Sequence, residues 1–223
     1  MKLLALDTST EYLSLALWLD GEVRARDIHA GQTHSQLILP MLAEMLAESG
    51  LALADLDGIA FGAGPGSFTG LRIGCGVAQG LAFGANLRVV GVSTLLALAQ
   101  RSGHARVAAC LDARMGEVYF AAYTRQGDDW ETVHEPGLYA PQQVPVLEGD
   151  GWHGVGSGWQ AYGSVLQAAY GGQIAHIDGQ AFPHASDIAL LASRQFARGE
   201  SCAADDAAPI YVRNKVALKT SER

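Results

Sequence analysis

Basic residues are scarce in this chain: 15 lysines and arginines stand against 23 aspartates and glutamates, a net charge of −8. That deficit argues against a protein that grips nucleic acid unaided, because phosphate neutralisation supplies most of such affinity. Four basic residues do gather near the end, at Arg213, Lys215, Lys219 and Arg223. Cysteine is scarce too. Cys75, Cys110 and Cys202 are odd in number, share no metal-ligand spacing and sit among apolar or small residues. A disulfide scaffold is excluded, and reduced thiols in the cytosol are expected. Long hydrophobic runs are absent: none nears the roughly 20 residues of a membrane span. The opening reaches Asp7 after four apolar residues, too few for a signal peptide. These absences point to a cytoplasmic protein with no membrane partner. With 49% apolar and 17% charged residues, the composition is globular, and 223 residues suffice for one large domain or two small ones.

Glycine is abundant, and it concentrates between Gly58 and Gly91. Around that stretch the periodicity predicts an α/β chain. Residues 2–7, 13–19 and 22–28 read as three strands, the last two joined at Asp20-Gly21, a strong hairpin signal. A helix is expected over 34–49, capped by Thr33 and Gln36, stopped by Gly50 and interrupted by Pro40. A strand at 59–61, a helix at 70–84, a strand at 88–92 and a helix capped by Ser93 follow. At Ala105 the pattern begins again: "RVAACLDARMGEVYF" repeats the strand, Asp, turn and strand of "KLLALDTSTEYLSLA". Asp7 and Asp112 correspond, which implies two lobes of one duplicated fold, 1–102 and 103–223, with the tail at 205–223 packing back on the first. Residues 127–160 show no clear period and read as loops and short strands; helices are expected at 160–170 and, capped by Ser186, at 186–198.

The string "FGAGPGSFTGLRIGCGVAQGLAFG" at 61–84 leaves a strand through a glycine loop and enters a helix, a geometry that can cradle phosphate. It lacks the Lys-Ser or Lys-Thr of a Walker loop and the spacing of a dinucleotide fingerprint. The plainer reading is favoured: Gly64 and Gly66 make a sharp turn, with Ser67 or Thr69 capping the helix. Gly76, Gly80 and Gly84 share one face of that helix and let another backbone approach, with the chain's own sheet preferred over a partner helix. Asp7 and Asp112 have the placement of paired acids for a metal-assisted phosphoryl transfer between lobes. Against that role, "DTST" (Asp7, Thr8, Ser9, Thr10) carries no glycine for phosphate approach, and Arg114 crowds the second turn. The seven histidines include no H-x-x-x-H or H-E-x-x-H pair, and no G-x-S-x-G elbow is present. No catalytic residue and no metal site can be named.

Taken together, "LALDTST", "GPGSFTGLRIG" (Gly64, Pro65, Gly66, Ser67, Thr69, Gly70 and Arg72 among them), "VGVSTL", "LDARMGEVY" and "YVRNKVA" resemble the bacterial TsaB (YeaZ) family of tRNA threonylcarbamoyladenosine biosynthesis. The likeness spans nearly the whole chain. It implies the two-lobed ASKHA fold of actin, sugar kinases and Hsp70, and kinship with TsaD, the subunit that transfers threonylcarbamoyl to adenosine beside the anticodon. TsaD carries a metal-binding histidine pair on a first-lobe helix. The matching "THSQLILPML" keeps only His34, so the metal centre and the transferase activity are expected to be absent.

The family therefore implies a non-catalytic subunit that activates TsaD together with TsaE. It would bind no cofactor alone, leave room for ATP or ADP at a complex interface and meet tRNA only through the complex. Leu37, Ile38, Leu39, Met41, Leu42, Met45 and Leu46 are too many for one buried face, so the 36–49 helix is expected to be covered by another chain. Leu37, Ile38, Met41, Leu42 and Met45, with the face of Gly76, Gly80 and Gly84, then form the partner surface: a homodimer in isolation, a TsaD heterodimer in the complex. An ATP-dependent phosphotransferase using Asp7 and Asp112 is the competing reading, and a peptidase the third.

Overall fold

A computed structural model describes residues 1–212. The basic tail and most of "YVRNKVA" lie outside the described residues. Three strands open the chain, β1 (Lys2–Asp7), β2 (Tyr12–Leu19) and β3 (Glu22–His29), followed by α1 (His34–Glu48). Next come β4 (Gly58–Gly64), α2 (Phe68–Ala85), β5 (Arg88–Ser93) and α3 (Thr94–Ser102). The second half holds β6 (Arg106–Arg114), β7 (Glu117–Gln126), β8 (Asp129–Tyr139), β9 (Trp152–Val155), α4 (Ser157–Tyr170), β10 (Ile174–Asp178) and α5 (Ala185–Ala197). No helix of the described residues is long and apolar enough to cross a membrane.

The strands form two five-stranded sheets, ordered β3-β2-β1-β4-β5 and β8-β7-β6-β9-β10. Adding five to each number of the first gives the second, and in both an antiparallel meander joins a parallel pair. The duplication anticipated from Asp7 and Asp112 is thus complete at the level of topology. This is the two-lobed ASKHA-like α/β fold.

Each sheet has two apolar faces. Leu13, Leu15 and Leu17 of β2, with Leu4 and Leu6, pack under α1 and α2. The opposite face of that sheet, Leu3, Ala5, Ala60 and Val90, lies against Ile188, Ala189 and Ala192 of α5. Leu95, Leu98 and Ala99 of α3 cover the second sheet at Val107, Ala109 and Leu111. The last helix of each half therefore packs on the other half's sheet, and α3 and α5 touch one another. α1 has no counterpart: among the described residues, only a short 3-10 turn at Pro141–Gln143 and irregular chain separate β8 from β9.

Several local expectations are corrected. Thr33 does not cap α1; its hydroxyl donates to the Ala30 carbonyl (2.7 Å) instead. Pro40 sits inside α1 on the exposed side, where it removes one intrahelical N–H donor. Ser186 is not a cap. α5 starts at Ala185, whose N–H donates to Ser14 Oγ of β2 (2.7 Å), a partner no local pattern reveals. The stretch expected as loops contains β8, an 11-residue edge strand. Pro136, Gly137 and two register shifts against β7 break its alternation.

The seat of α5 on the first sheet is a long-range contact between halves. Ile188→Ala, at a fully buried position of that seat, is expected to lower unfolding free energy by about 2–5 kcal/mol. Urea melts followed by fluorescence check this, and the loss should appear as one cooperative transition.

Candidate functional site

A cavity of about 1080 Å³ opens between the halves. Its walls are the Ser9–Thr10 turn after β1, the start of α2 from Pro65 to Leu71, the Asp112–Met115 hairpin, Ser157 and Gln160 of α4, and Ile210–Val212. The resemblance-bearing strings DTST, GPGSFTG and LDARM meet at this cleft, though 100 residues of sequence separate the first from the last.

The glycine loop is seated on the chain's own first turn. A Cβ on Gly62 would overlap the Asp7 carboxylate, and one on Gly70 would overlap the Thr8 carbonyl. At Gly66 and Gly74 the nearest atoms would be the Ser9 carbonyl and the Thr8 hydroxyl, each at 2.6 Å. Hydrogen bonds close the seat: Thr8 Oγ1 donates to the Gly70 carbonyl (2.7 Å), and Ser67 N–H donates to the Ser9 carbonyl (2.8 Å). Of the two glycines assigned to a sharp turn, Gly64 does have positive φ (119°), while Gly66 is needed for close approach. Ser67 caps α2, accepting from Gly70 N–H; Thr69 does not. Arg72 stacks over Phe68 (3.8 Å) and donates from Nε to the Tyr211 hydroxyl (3.1 Å), tying the chain's return to this helix.

The two aspartates differ sharply. Asp7 is buried, and its Oδ1 accepts from Ser9 N–H (3.0 Å) and Ser9 Oγ (2.8 Å). Its Oδ2 has no hydrogen-bond partner among the described residues. Burial pushes this carboxyl up to about 6, against the lowering effect of the Ser9 bonds. Asp7 does not line the cavity, whereas Asp112 does. Asp112 is engaged locally: it accepts from Arg114 N–H (2.8 Å) and pairs with the Arg114 guanidinium (3.1 Å), while Arg114 and Met115 both take positive φ. The geometry does not bring these acids to a common point of access.

Among the described residues, one other grouping of catalytic residue types occurs. Ser14, Asp27 and His184 meet, but both Ser14 and His184 hydrogen-bond Asp27, and Ser14 is fully buried. Burial raises Asp27, yet the bonds from His184 and Ser14 outweigh it and hold the carboxyl below its usual range. His34 is buried with its Nε2 on the Tyr12 carbonyl (3.1 Å). Among the described residues, no cluster of three His, Cys, Asp or Glu side chains is arranged to hold a metal. Burial pushes the Cys75 and Cys110 thiols up, away from the reactive thiolate.

The comparisons with known proteins agree with one another. The family model of TsaD, tRNA N6-adenosine threonylcarbamoyltransferase, matches residues 28–220. The Escherichia coli tRNA threonylcarbamoyladenosine biosynthesis protein TsaB is 43% identical, over 98% of this chain and 97% of its own. The Haemophilus influenzae protein of the same name is 40% identical over 98% and 96%. YeaZ from Pseudomonas aeruginosa superposes with a TM-score of 0.87 at 42% identity, covering 94% of this chain and 99% of its own. The chain belongs to the TsaB (YeaZ) family.

In this TsaB-family chain the α1–α2 layer is the part that departs from expectation. Ile38, Met41, Leu42 and Met45 are interior, at 1%, 8%, 5% and 4% exposure, in the core under α1. The helix is wide enough in its own core to bury four residues that were expected at a partner surface. Leu37, the fifth α1 residue expected there, points outward, as does Leu39. On α2 the correction runs the other way. Gly76, Gly80 and Gly84 do not pack on the chain's own sheet: they are exposed, with nothing within 4 Å of a Cβ built on any of them. Beside them Phe83 is 82% exposed. Sequence reasoning missed Phe83, although its place three residues after Gly80 put it on the same helix face.

The Asp7 environment generates a pH prediction. A carboxyl raised in the folded state favours folding when protonated, so its stabilisation is complete below 3.8 and is lost as pH rises through about 6. Asp7→Asn, which keeps the acceptor for Ser9, is expected to stabilise the protein at pH 7.5 by up to about 3 kcal/mol. The gain should vanish near pH 4, as read from urea unfolding at both pH values.

Proposed function

We propose that this chain is a non-catalytic partner subunit of the tRNA threonylcarbamoyladenosine machinery, docking on TsaD through the outward face of α1 and α2. The observation that carries this reading is the open stripe of Gly76, Gly80 and Gly84 beside exposed Phe83. Three glycines on an exposed helix face cost about 1 kcal/mol each relative to alanine, and nothing inside the chain returns that stability. Close approach of a partner backbone accounts for them, and Phe83, Leu37 and Leu39 supply apolar contact around the stripe. The same face serves self-association when TsaD is missing, because a TsaD-related fold offers TsaD a surface like the chain's own.

The remaining features fit a subunit rather than an enzyme. The Thr8–Ser9 backbone occupies the seat where a phosphate loop would receive ligand, and Asp7 lies behind it. That weighs against a phosphotransferase. Ser14, buried and turned to Asp27, weighs against a peptidase, although one similar Pseudomonas aeruginosa structure is described as resembling peptidase YeaZ. A net charge of −8 supports a tRNA site on another subunit. TsaE completes the set as the ATPase, and any ATP or ADP is held at an interface of the complex, with no metal or cofactor held by this chain alone.

Replacing the glycines tests the reading because stability and binding should move in opposite directions. Gly76→Ala, Gly80→Ala and Gly84→Ala are each expected to raise unfolding free energy by up to about 1 kcal/mol. The same variants, and Phe83→Glu, should weaken association with TsaD at least tenfold and reduce tRNA modification in the reconstituted system. Undiminished binding by all four folded variants would overturn the assignment.

A further inference from the structure

Three of the chain's seven histidines meet at one edge of the second sheet. His104 lies in the connection between α3 and β6, which carries the chain from one sheet to the other. Its ring stacks on that of His153 in β9, with centroids 3.5 Å apart and planes 9° from parallel. His176 of β10, paired in register with His153, has its ring centroid 6.2 Å away. His153 Nδ1 is buried and has no hydrogen-bond partner among the described residues.

Among the described residues, no hydrogen bond or ion pair joins a carboxylate to this cluster. On α3 the charged group is Arg101, whose charge acts on Asp27 and Asp187. On β6 the residue paired with His153 is Val107, while Arg106 lies over the Trp152 ring (4.7 Å) and donates to the Glu148 and Asp150 carbonyls. α4 carries no Asp, Glu, Lys, Arg or His. On β10, Asp178 accepts from Gln180 N–H. The charges that act on His153 come from His104 and His176, both cationic when protonated.

We propose that His104, His153 and His176 form a proton-sensitive clasp that pins the α3–β6 crossover to the second sheet and releases it on acidification. Neutral, the stacked pair joins the crossover to β9 across the gap between elements. Protonating His153 would bury an Nδ1–H without an acceptor and place a cation against two neighbours that also take up protons. Burial, with His104 and His176, accordingly holds His153 below the ordinary 6.5. A histidine lowered in the folded state contributes stability that is full above 6.5 and is lost as pH falls through its own lowered value.

The test uses the full chain at pH 7.5 and 5.5. Histidine ring resonances are titrated, urea midpoints are measured for wild type and His153→Gln, and hydrogen exchange is followed after correction for intrinsic rates. Because Asp7 acts in the opposite sense, each variant is compared with wild type at the same pH. His153 is expected to titrate below the histidines of the urea-unfolded chain. Relative to His153→Gln, the wild-type midpoint should be lower at pH 5.5 than it is at pH 7.5. Exchange over residues 103–107 and 153–155 should quicken at least tenfold at pH 5.5 in wild type only. His134→Gln, whose ring bonds the Val146 carbonyl elsewhere, should behave as wild type. Titration of His153 at or above the unfolded value, or equal acid sensitivity of wild type and His153→Gln, would overturn the clasp. If His153→Gln does not fold, the wild-type titration alone decides.

Discussion

The seat of the glycine loop on the first turn is the contact on which the rest depends. Gly62, Gly66, Gly70 and Gly74 press backbone against Asp7, Thr8 and Ser9, at separations that leave no room for a methyl group. That contact helps bury Asp7, which does not line the cavity, and packs the start of α2 on the first turn. With Gly70 and Gly74 turned inward to the seat, Gly76, Gly80 and Gly84 are left on the outer side of the same helix. The loop packs on the first turn, and the helix that follows turns its later glycines to the outside.

The duplication explains why the molecule needs both halves. α3 belongs to the first half and covers the second sheet, while α5 belongs to the second half and covers the first. Exchanging these helices gives each sheet a face that the other half helps to bury. The asymmetric part is α1, which the second half does not repeat. Together with α2 it forms a layer over one face of the first sheet, and the outer surface of that layer is where unrecovered helix cost and exposed apolar side chains coincide.

Much of this was legible in the chain itself. The Leu13, Leu15 and Leu17 alternation, the Asp20-Gly21 turn and the Asp7–Asp112 repeat each report a local period, and each is found as read. Local reading failed where the deciding partner is remote. Ser14 satisfies the start of α5 from 171 residues away. β8 lost its period to Pro136 and Gly137. Seven apolar residues on α1 overstated its outward face, because Ile38, Met41, Leu42 and Met45 all fit within one deep core. Composition does not say which side of a helix a glycine stripe will face; here the inward side was already taken by Gly70 and Gly74.

The most direct measurement is a hydrogen-exchange footprint of the full chain with and without TsaD. Protection concentrated on residues 34–48 and 68–85, with the cleft walls at 112–115 and 157–160 unchanged, is the result expected of docking through α1 and α2. Protection confined to the cleft walls or to the second sheet, with α1 and α2 exchanging as in the free protein, would contradict the account.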